Sequence, residues 1–244
     1  MKQKDKGYSL FNAKATNTID LLMPSEKKIV TFLNPYSISF INDHYELYAQ
    51  FDYICSDGIL PVIMNRIWGL KNFSRLSFDF TSLACNVFEE GIKNNLRFYF
   101  LGTDEQSINR FVDNIKQKYP TIAIAGWHNG YIQETEEDIL NSIIDTQPDI
   151  TIVGMGTPYQ DKVAIRLRKK GLKGAIYTCG GFFHQTAQKE TYFPTIINKL
   201  HLRWLYRLIK EPHSRKRFFI HYPVFFFNYS IFLAKYAKKI KDKK

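Results

Sequence analysis

The chain has 244 residues, 45% hydrophobic and 23% charged, enough for one α/β or β domain with a buried core and unlike a disordered, collagen-like or disulfide-scaffold chain. Its net charge is +11 and 16% of its residues are aromatic. From Leu200 onward twelve Lys or Arg stand against Glu211 and Asp242, a net of +10 shared with eleven aromatics, while everything before carries only +1.

Residues 1–7 are charged and no apolar signal core follows, so a cytoplasmic location is expected. Beyond them, short β-rich apolar runs alternate with amphipathic stretches, the pattern of a sheet covered by helices on both faces. The first candidate strand, 29–33, leads into Asn34-Pro35, and Tyr53-Ile54-Cys55 leads into Ser56-Asp57-Gly58. A strand at 97–101 is followed by Gly102 and a helix over 104–118. There Ile108, Phe111, Val112 and Ile115 recur at helical spacing, and Thr103 with Gln106 makes a capping box. A strand at 122–125, a helix from about 134 to 145 and a strand at 150–153 come next. Gly154-Met155-Gly156-Thr157-Pro158-Tyr159-Gln160 then opens a helix over 160–170 that stops at Gly171. A last strand, 174–178, ends at Cys179-Gly180-Gly181. This order predicts a Rossmann-like, mostly parallel sheet over 1–192, with a basic, aromatic helical appendage over 193–244.

Ligands of such sheets bind beyond the carboxyl ends of the strands, where glycines let backbone N–H groups approach phosphate and helix N-termini add positive potential. Taken singly, each candidate has a plain structural alternative. Gly154-x-Gly156 has Tyr159 where a third glycine would complete a dinucleotide fingerprint, so it fits a tight turn as well as a phosphate cradle. Asp57 fits an Asp-Gly turn, Gln160 a helix start, and Arg75 a surface ion pair. Cys55, Cys85, Cys179 and the six histidines show no metal-ligand spacing. In the tail, the apolar run 218–234 is broken by His221, Pro223 and Asn228. It is shorter than the roughly 20 residues of a spanning helix, so it suits lying on a membrane. Cations interleaved with aromatics suit an anionic membrane surface or a nucleic acid equally.

In this order the segments resemble the WecG/TagA/CpsF family of bacterial glycosyltransferases. The most specific matches are Val153 through Asp161, similar to V-G-x-G-x-P-x-Q-[DE], and Arg203-Trp204-Leu205-Tyr206-Arg207-Leu208 with Glu211-Pro212, similar to W-L-Y-R-L…E-P. Ser56-Asp57-Gly58, Asn129-Gly130-Tyr131 and Cys179-Gly180-Gly181-Phe182-Phe183 add to it. The resemblance implies inverting transfer of N-acetylmannosamine or a related hexose from a UDP-sugar to a polyprenyl-diphosphate-linked sugar, without an obligatory metal or other cofactor. It implies Asp57 as the catalytic base, and Asn34, Arg75, Gln160, Gly154, Gly156, Gly180 and Gly181 around the donor or acceptor. Arg207, Arg215 and Arg217 are the implied diphosphate ligands. His184 stands where many members carry an aspartate, which leaves the sugar open, with glucose or a uronic acid as alternatives. The tail then becomes a device for docking on the cytoplasmic face of the membrane, rather than a nucleic-acid-binding module, which would leave the Asp57 and Gln160 segments unexplained. The oligomeric state stays open, a homo-oligomer included.

Overall fold

Ile29–Leu33 (β1), Ile150–Gly154 (β5) and Ala175–Thr178 (β6) are buried at every position, which suits the interior of a parallel sheet with both faces covered. In the computed structural model, which describes residues 3–188 and 217–242, these strands join Tyr53–Ser56 (β2), Arg97–Gly102 (β3) and Ala123–His128 (β4) in one parallel sheet ordered β2-β1-β6-β5-β3-β4. The fold is Rossmann-like, as the β-α alternation predicts.

Side-chain alternation along each strand builds two cores. Ile29 and Leu33 of β1 join Val153 and Ile176 on one face, under Gln3–Lys14 (α1), Pro35–Ser39 (α2), Tyr45–Tyr48 (α3), Ile59–Ile67 (α4), Glu136–Thr146 (α7) and Tyr159–Lys169 (α8). Val30 and Phe32 join Phe98, Phe100 and Tyr177 on the other, under Leu83–Lys93 (α5), Glu105–Lys118 (α6) and Phe182–Gln188 (α9).

Two local expectations are corrected. The cap of α6 is Asp104, whose carboxylate accepts from the Ser107 N–H at 2.8 Å, while Thr103 takes a left-handed backbone with φ of 54°. The aspartate one place on reaches the N3 amide, so no Thr103–Gln106 box forms. The strand expected at 122–125 runs from Ala123 to His128. It is a half-exposed edge whose register against β3 slips between Phe98 and Tyr99, so it lacks the apolar continuity of the central strands.

The helix Tyr222–Lys241, preceded by a wide turn over Arg217–His221, belongs to the first core. Phe225, Tyr229, Phe232 and Leu233 are buried, and Tyr229 Oη receives hydrogen bonds from Asn12 (2.8 Å) on α1 and Asn65 (2.6 Å) on α4. No helix among the described residues is long and apolar enough to cross a membrane.

Candidate active site

Chain direction decides where a ligand can sit. Past β1 the chain turns into α2, whose Ile38 packs on the first core, and past the neighbouring β6 it turns into α9, whose Phe182 and Phe183 pack on the second. Loops leaving adjacent parallel strands for opposite faces open a crevice, the switch point of an open α/β sheet. A cleft of about 1010 Å³ lies there.

Asp57 enters the cleft because β2 pairs in register with β1, Ser56 opposite Leu33, and the chain leaves the sheet one residue later. Its N–H donates to the Leu33 carbonyl at 2.9 Å, tying the turn to β1. Gly58 follows because the chain here lies against Pro35: a Cβ on Gly58 would stand 2.8 Å from Pro35 Cδ. Replacing Gly58 with Val is expected to cost about 1–3 kcal/mol through that overlap and to displace Asp57; urea denaturation together with turnover measures both effects.

Arg75 is brought to the same place by a single parallel bridge between residues 56 and 75, closed by the Leu76 N–H on the Ser56 carbonyl at 2.9 Å. Its guanidinium lies 3.4 Å from Asp57 Oδ1 and 3.8 Å from Asp79 Oδ2, and donates to Ser77 Oγ at 2.8 Å. Ser77 in turn donates to Asp79 Oδ2 at 2.6 Å. One cation thus lies between two carboxylates, with Asp57 retaining 29% side-chain exposure to meet a substrate. Sequence reasoning selects Arg75 but passes over Ser77 and Asp79. Their Arg-x-Ser-x-Asp spacing, which places alternate residues on one side of an extended segment, is the available signal.

Asn34 caps α2, its Oδ1 accepting from the Ser37 N–H at 3.0 Å, and lines the cleft. Gly156 lines it with a left-handed φ of +79°, a conformation open to glycine at little cost. Gly180, Gly181, Thr157 and Gln185 complete the polar side, while Gly154 lies beneath, within the β5 end, and is not among the lining residues. Gln160 is 2% exposed, and both ends of its amide serve the loops: Nε2 donates to Thr157 Oγ1 (3.4 Å) and Oε1 accepts from the Gly180 N–H (3.1 Å). His184 lies outside the cleft lining, near Ser107 and Asp104 at the start of α6.

The opposite wall is apolar: Phe218, Phe219, Tyr222, Pro223, Phe226 and Phe227. Phe219 and Phe227 remain 68% and 66% exposed. The seating of Tyr229 in the first core is what brings this aromatic stretch of the tail to the cleft. Arg207, Arg215 and the 203–212 motif lie outside the described residues, and Arg217 is described in its backbone alone. Among the described residues no three His, Cys, Asp or Glu side chains gather as a metal site.

The cleft therefore offers an accessible carboxylate, a neighbouring guanidinium and glycine-lined loops opposite an aromatic wall. The chain is 39% identical over 217 residues to the UDP-Gal:alpha-D-GlcNAc-diphosphoundecaprenol beta-1,4-galactosyltransferase of Shigella boydii, covering 87% of this chain and 90% of that one. It is 29% identical over 219 residues to the N-acetylglucosaminyldiphosphoundecaprenol N-acetyl-beta-D-mannosaminyltransferase of Bacillus subtilis, covering 84% and 82%. A Staphylococcus aureus protein of the same description is 25% identical over 214 residues, covering 86% and 81%. The family described as "Glycosyl transferase WecG/TagA/CpsF family" matches residues 8–241. With that match spanning nearly the whole chain, the protein is a glycosyltransferase and belongs to the WecG/TagA/CpsF family.

Proposed function

We propose that this enzyme transfers one hexose, with inversion, from a UDP-sugar to the N-acetylglucosamine of an undecaprenyl-diphosphate-linked acceptor during assembly of a cell-surface polysaccharide. The observation that carries the reading is the two-walled cleft, with Asp57 and Arg75 on its polar side and the aromatics of residues 218–227 on the other. A sugar hydroxyl is a weak nucleophile, so a carboxylate that takes its proton as the new bond forms to the donor's anomeric carbon lowers the barrier. The bond from that carbon to the UDP oxygen breaks in the same displacement, and the leaving diphosphate gains negative charge. In this reading Arg75 and the loops at Gly156 and Gly181, which line the cleft, meet that charge, and no step requires a metal. Arg207, Arg215 and Arg217 are proposed for the acceptor's diphosphate, on the family resemblance alone.

Galactose is the first choice of donor sugar, because the 39% identical relative bears that activity in its name; N-acetylmannosamine is second, on the 29% identical relative. Comparing release of UDP from UDP-galactose, UDP-N-acetylmannosamine and UDP-glucose with the lipid-linked acceptor present tests the choice. At least fivefold preference for UDP-galactose is expected, and preference for either other donor overturns the galactose assignment.

The exposed aromatics at the cleft mouth and Lys235, Lys238, Lys239 and Lys241 farther along the same helix suit peripheral docking on an anionic membrane. Replacing Phe226 and Phe227 together with Ser is expected to weaken binding to anionic vesicles about tenfold or more. Sedimentation with vesicles reads this directly, and unchanged binding contradicts the docking surface.

A further inference from the structure

Arg75 reaches the cleft nearly buried, with 13% of its side chain exposed. Every protein contact of its guanidinium among the described residues is made by Nη2, which donates to Ser77 Oγ at 2.8 Å and to Asp57 Oδ1 at 3.4 Å and lies 3.8 Å from Asp79 Oδ2. Nothing among those residues accepts from Nε or Nη1. A guanidinium keeps its charge, and its donors are costly to bury unpaired. The N–H groups on Nε and Nη1 therefore take their acceptors from the cleft, and what they can reach depends on what holds Nη2.

The sequence around Arg75 builds that hold. Leu76 and Phe78 go into the second core, the Phe78 ring lying 5.2 Å from Tyr177 and 5.6 Å from Phe182. Arg75, Ser77 and Asp79 meet one another at the cleft. Asp79 is braced in turn by Thr81, which donates to its Oδ1 from the backbone N–H at 2.8 Å and from the hydroxyl at 2.5 Å. The Ser77 N–H donates to Ser82 Oγ at 3.3 Å, at the start of α5.

The protons along this line have one arrangement. Arginine only donates and a carboxylate only accepts, so the Ser77 hydroxyl between them takes the Nη2 bond on its oxygen and sends its own proton to Asp79 Oδ2 at 2.6 Å. Ser77 is 3% exposed, which keeps water from competing for either bond. The Asp57 contact is longer than the roughly 2.7–2.9 Å of a charge-assisted hydrogen bond, so Ser77 is the close anchor of the guanidinium. We propose that Ser77 and Asp79 are positioning residues for donor binding: Asp79 fixes the Ser77 hydroxyl, which holds Nη2 of Arg75 and leaves its Nε and Nη1 N–H groups for the diphosphate of the UDP-sugar. The proposal rests on the cleft being the UDP-sugar site. Without the anchor, Nη2 settles on Asp57, its nearest remaining acceptor, and the cation is drawn toward the base and away from the diphosphate.

The test uses the full chain, with the affinities of UDP and UDP-galactose measured by calorimetry and donor kinetics measured with the lipid-linked acceptor. Wild type is compared with Ser77→Ala, Asp79→Asn, Arg75→Ala and the double variant Ser77→Ala with Arg75→Ala, each checked for folding by urea denaturation. Ser77→Ala removes the anchor and keeps every charge. Asp79→Asn supplies one oxygen where Asp79 uses two, so it cannot serve both Ser77 and Thr81 as acceptor. Each of these two is expected to weaken UDP about tenfold, and the donor KM should rise more than kcat falls. Arg75→Ala should weaken UDP at least as much, and adding Ser77→Ala to it should cost nothing further, because the effect passes through the guanidinium. A serine that merely shaped the segment would cost as much with Arg75 gone as with it present. UDP affinity kept in Arg75→Ala or in both Ser77→Ala and Asp79→Asn, losses that add in the double variant, or a fall in kcat with donor KM unchanged would overturn the proposal. If Asp79→Asn does not fold, Ser77→Ala and the double variant decide. Wild type that binds neither UDP nor UDP-galactose overturns the donor reading and this proposal together, whereas UDP binding that Arg75→Ala weakens and Ser77→Ala preserves overturns the proposal alone.

Discussion

Asp57→Asn is expected to lower turnover about 10²- to 10⁴-fold, the range lost with a general base, while changing UDP-sugar affinity only a few-fold. Asn keeps the shape of the side chain and its place one residue beyond β2, set by the Asp57 N–H on Leu33 and the close approach of Gly58 to Pro35. It removes the acceptor for the sugar's proton. Arg75 also keeps an anionic neighbour, since Asp79 lies 3.8 Å away and Ser77 accepts its hydrogen bond. A general base therefore predicts a kcat effect with donor KM nearly constant, whereas a residue that merely held Arg75 in place would raise KM instead. Steady-state kinetics with a lipid-linked acceptor separates the two.

Tyr229→Ala is the substitution expected to cost the fold most, about 3–5 kcal/mol. The ring stacks between Phe225 (5.0 Å) and Phe232 (5.8 Å) and meets Tyr8 edge-on at 5.2 Å. Removing it opens a cavity in the first core and strips Asn12 and Asn65 of the oxygen they both reach for. Each amide nitrogen then keeps only the bond to its own helix, Asn12 to the Tyr8 carbonyl and Asn65 to the Pro61 carbonyl, both at 3.0 Å, and its second N–H is left unpaired. Tyr229→Phe retains the ring and loses only the bridge, and should cost about 1–3 kcal/mol. Urea denaturation gives both numbers. A function follows the stability, because the helix pinned by Tyr229 carries Tyr222, Phe226 and Phe227 into the cleft wall. Tyr229→Phe, folded but loosely seated, should weaken use of the lipid-linked acceptor more than binding of UDP-sugar.

How much of this was legible in the sequence depends on whether a residue's meaning is local. β1, β5 and β6 are buried throughout, so their apolar runs announce strands without knowledge of their neighbours. β2 and β4 are the two edges of the sheet, short or half-exposed, and their signals are correspondingly faint. Asp57, Gly156 and Gly180 are visible because the chain must turn sharply at strand ends, and glycines mark such turns. Ser77 and Asp79 acquire their places at the site only through a contact distant in sequence, the bridge from Ser56 to Arg75. The basic tail showed its charge but not its seat, because the Asn12–Tyr229–Asn65 bridge joins residues more than 160 positions apart.

The proposed reaction, in which the carboxylate in this cleft drives transfer of one sugar from UDP to a lipid-linked acceptor, is read in the mass of the acceptor lipid. The most direct measurement incubates the full chain with UDP-galactose and undecaprenyl-diphosphate-linked N-acetylglucosamine in anionic vesicles, then weighs the extracted lipid by mass spectrometry beside the Asp57→Asn protein. The lipid is expected to gain a single hexose, UDP to be released in equal amount, and Asp57→Asn nearly to abolish both. Unmodified lipid with every UDP-sugar tried, or equal product from Asp57→Asn, would contradict it.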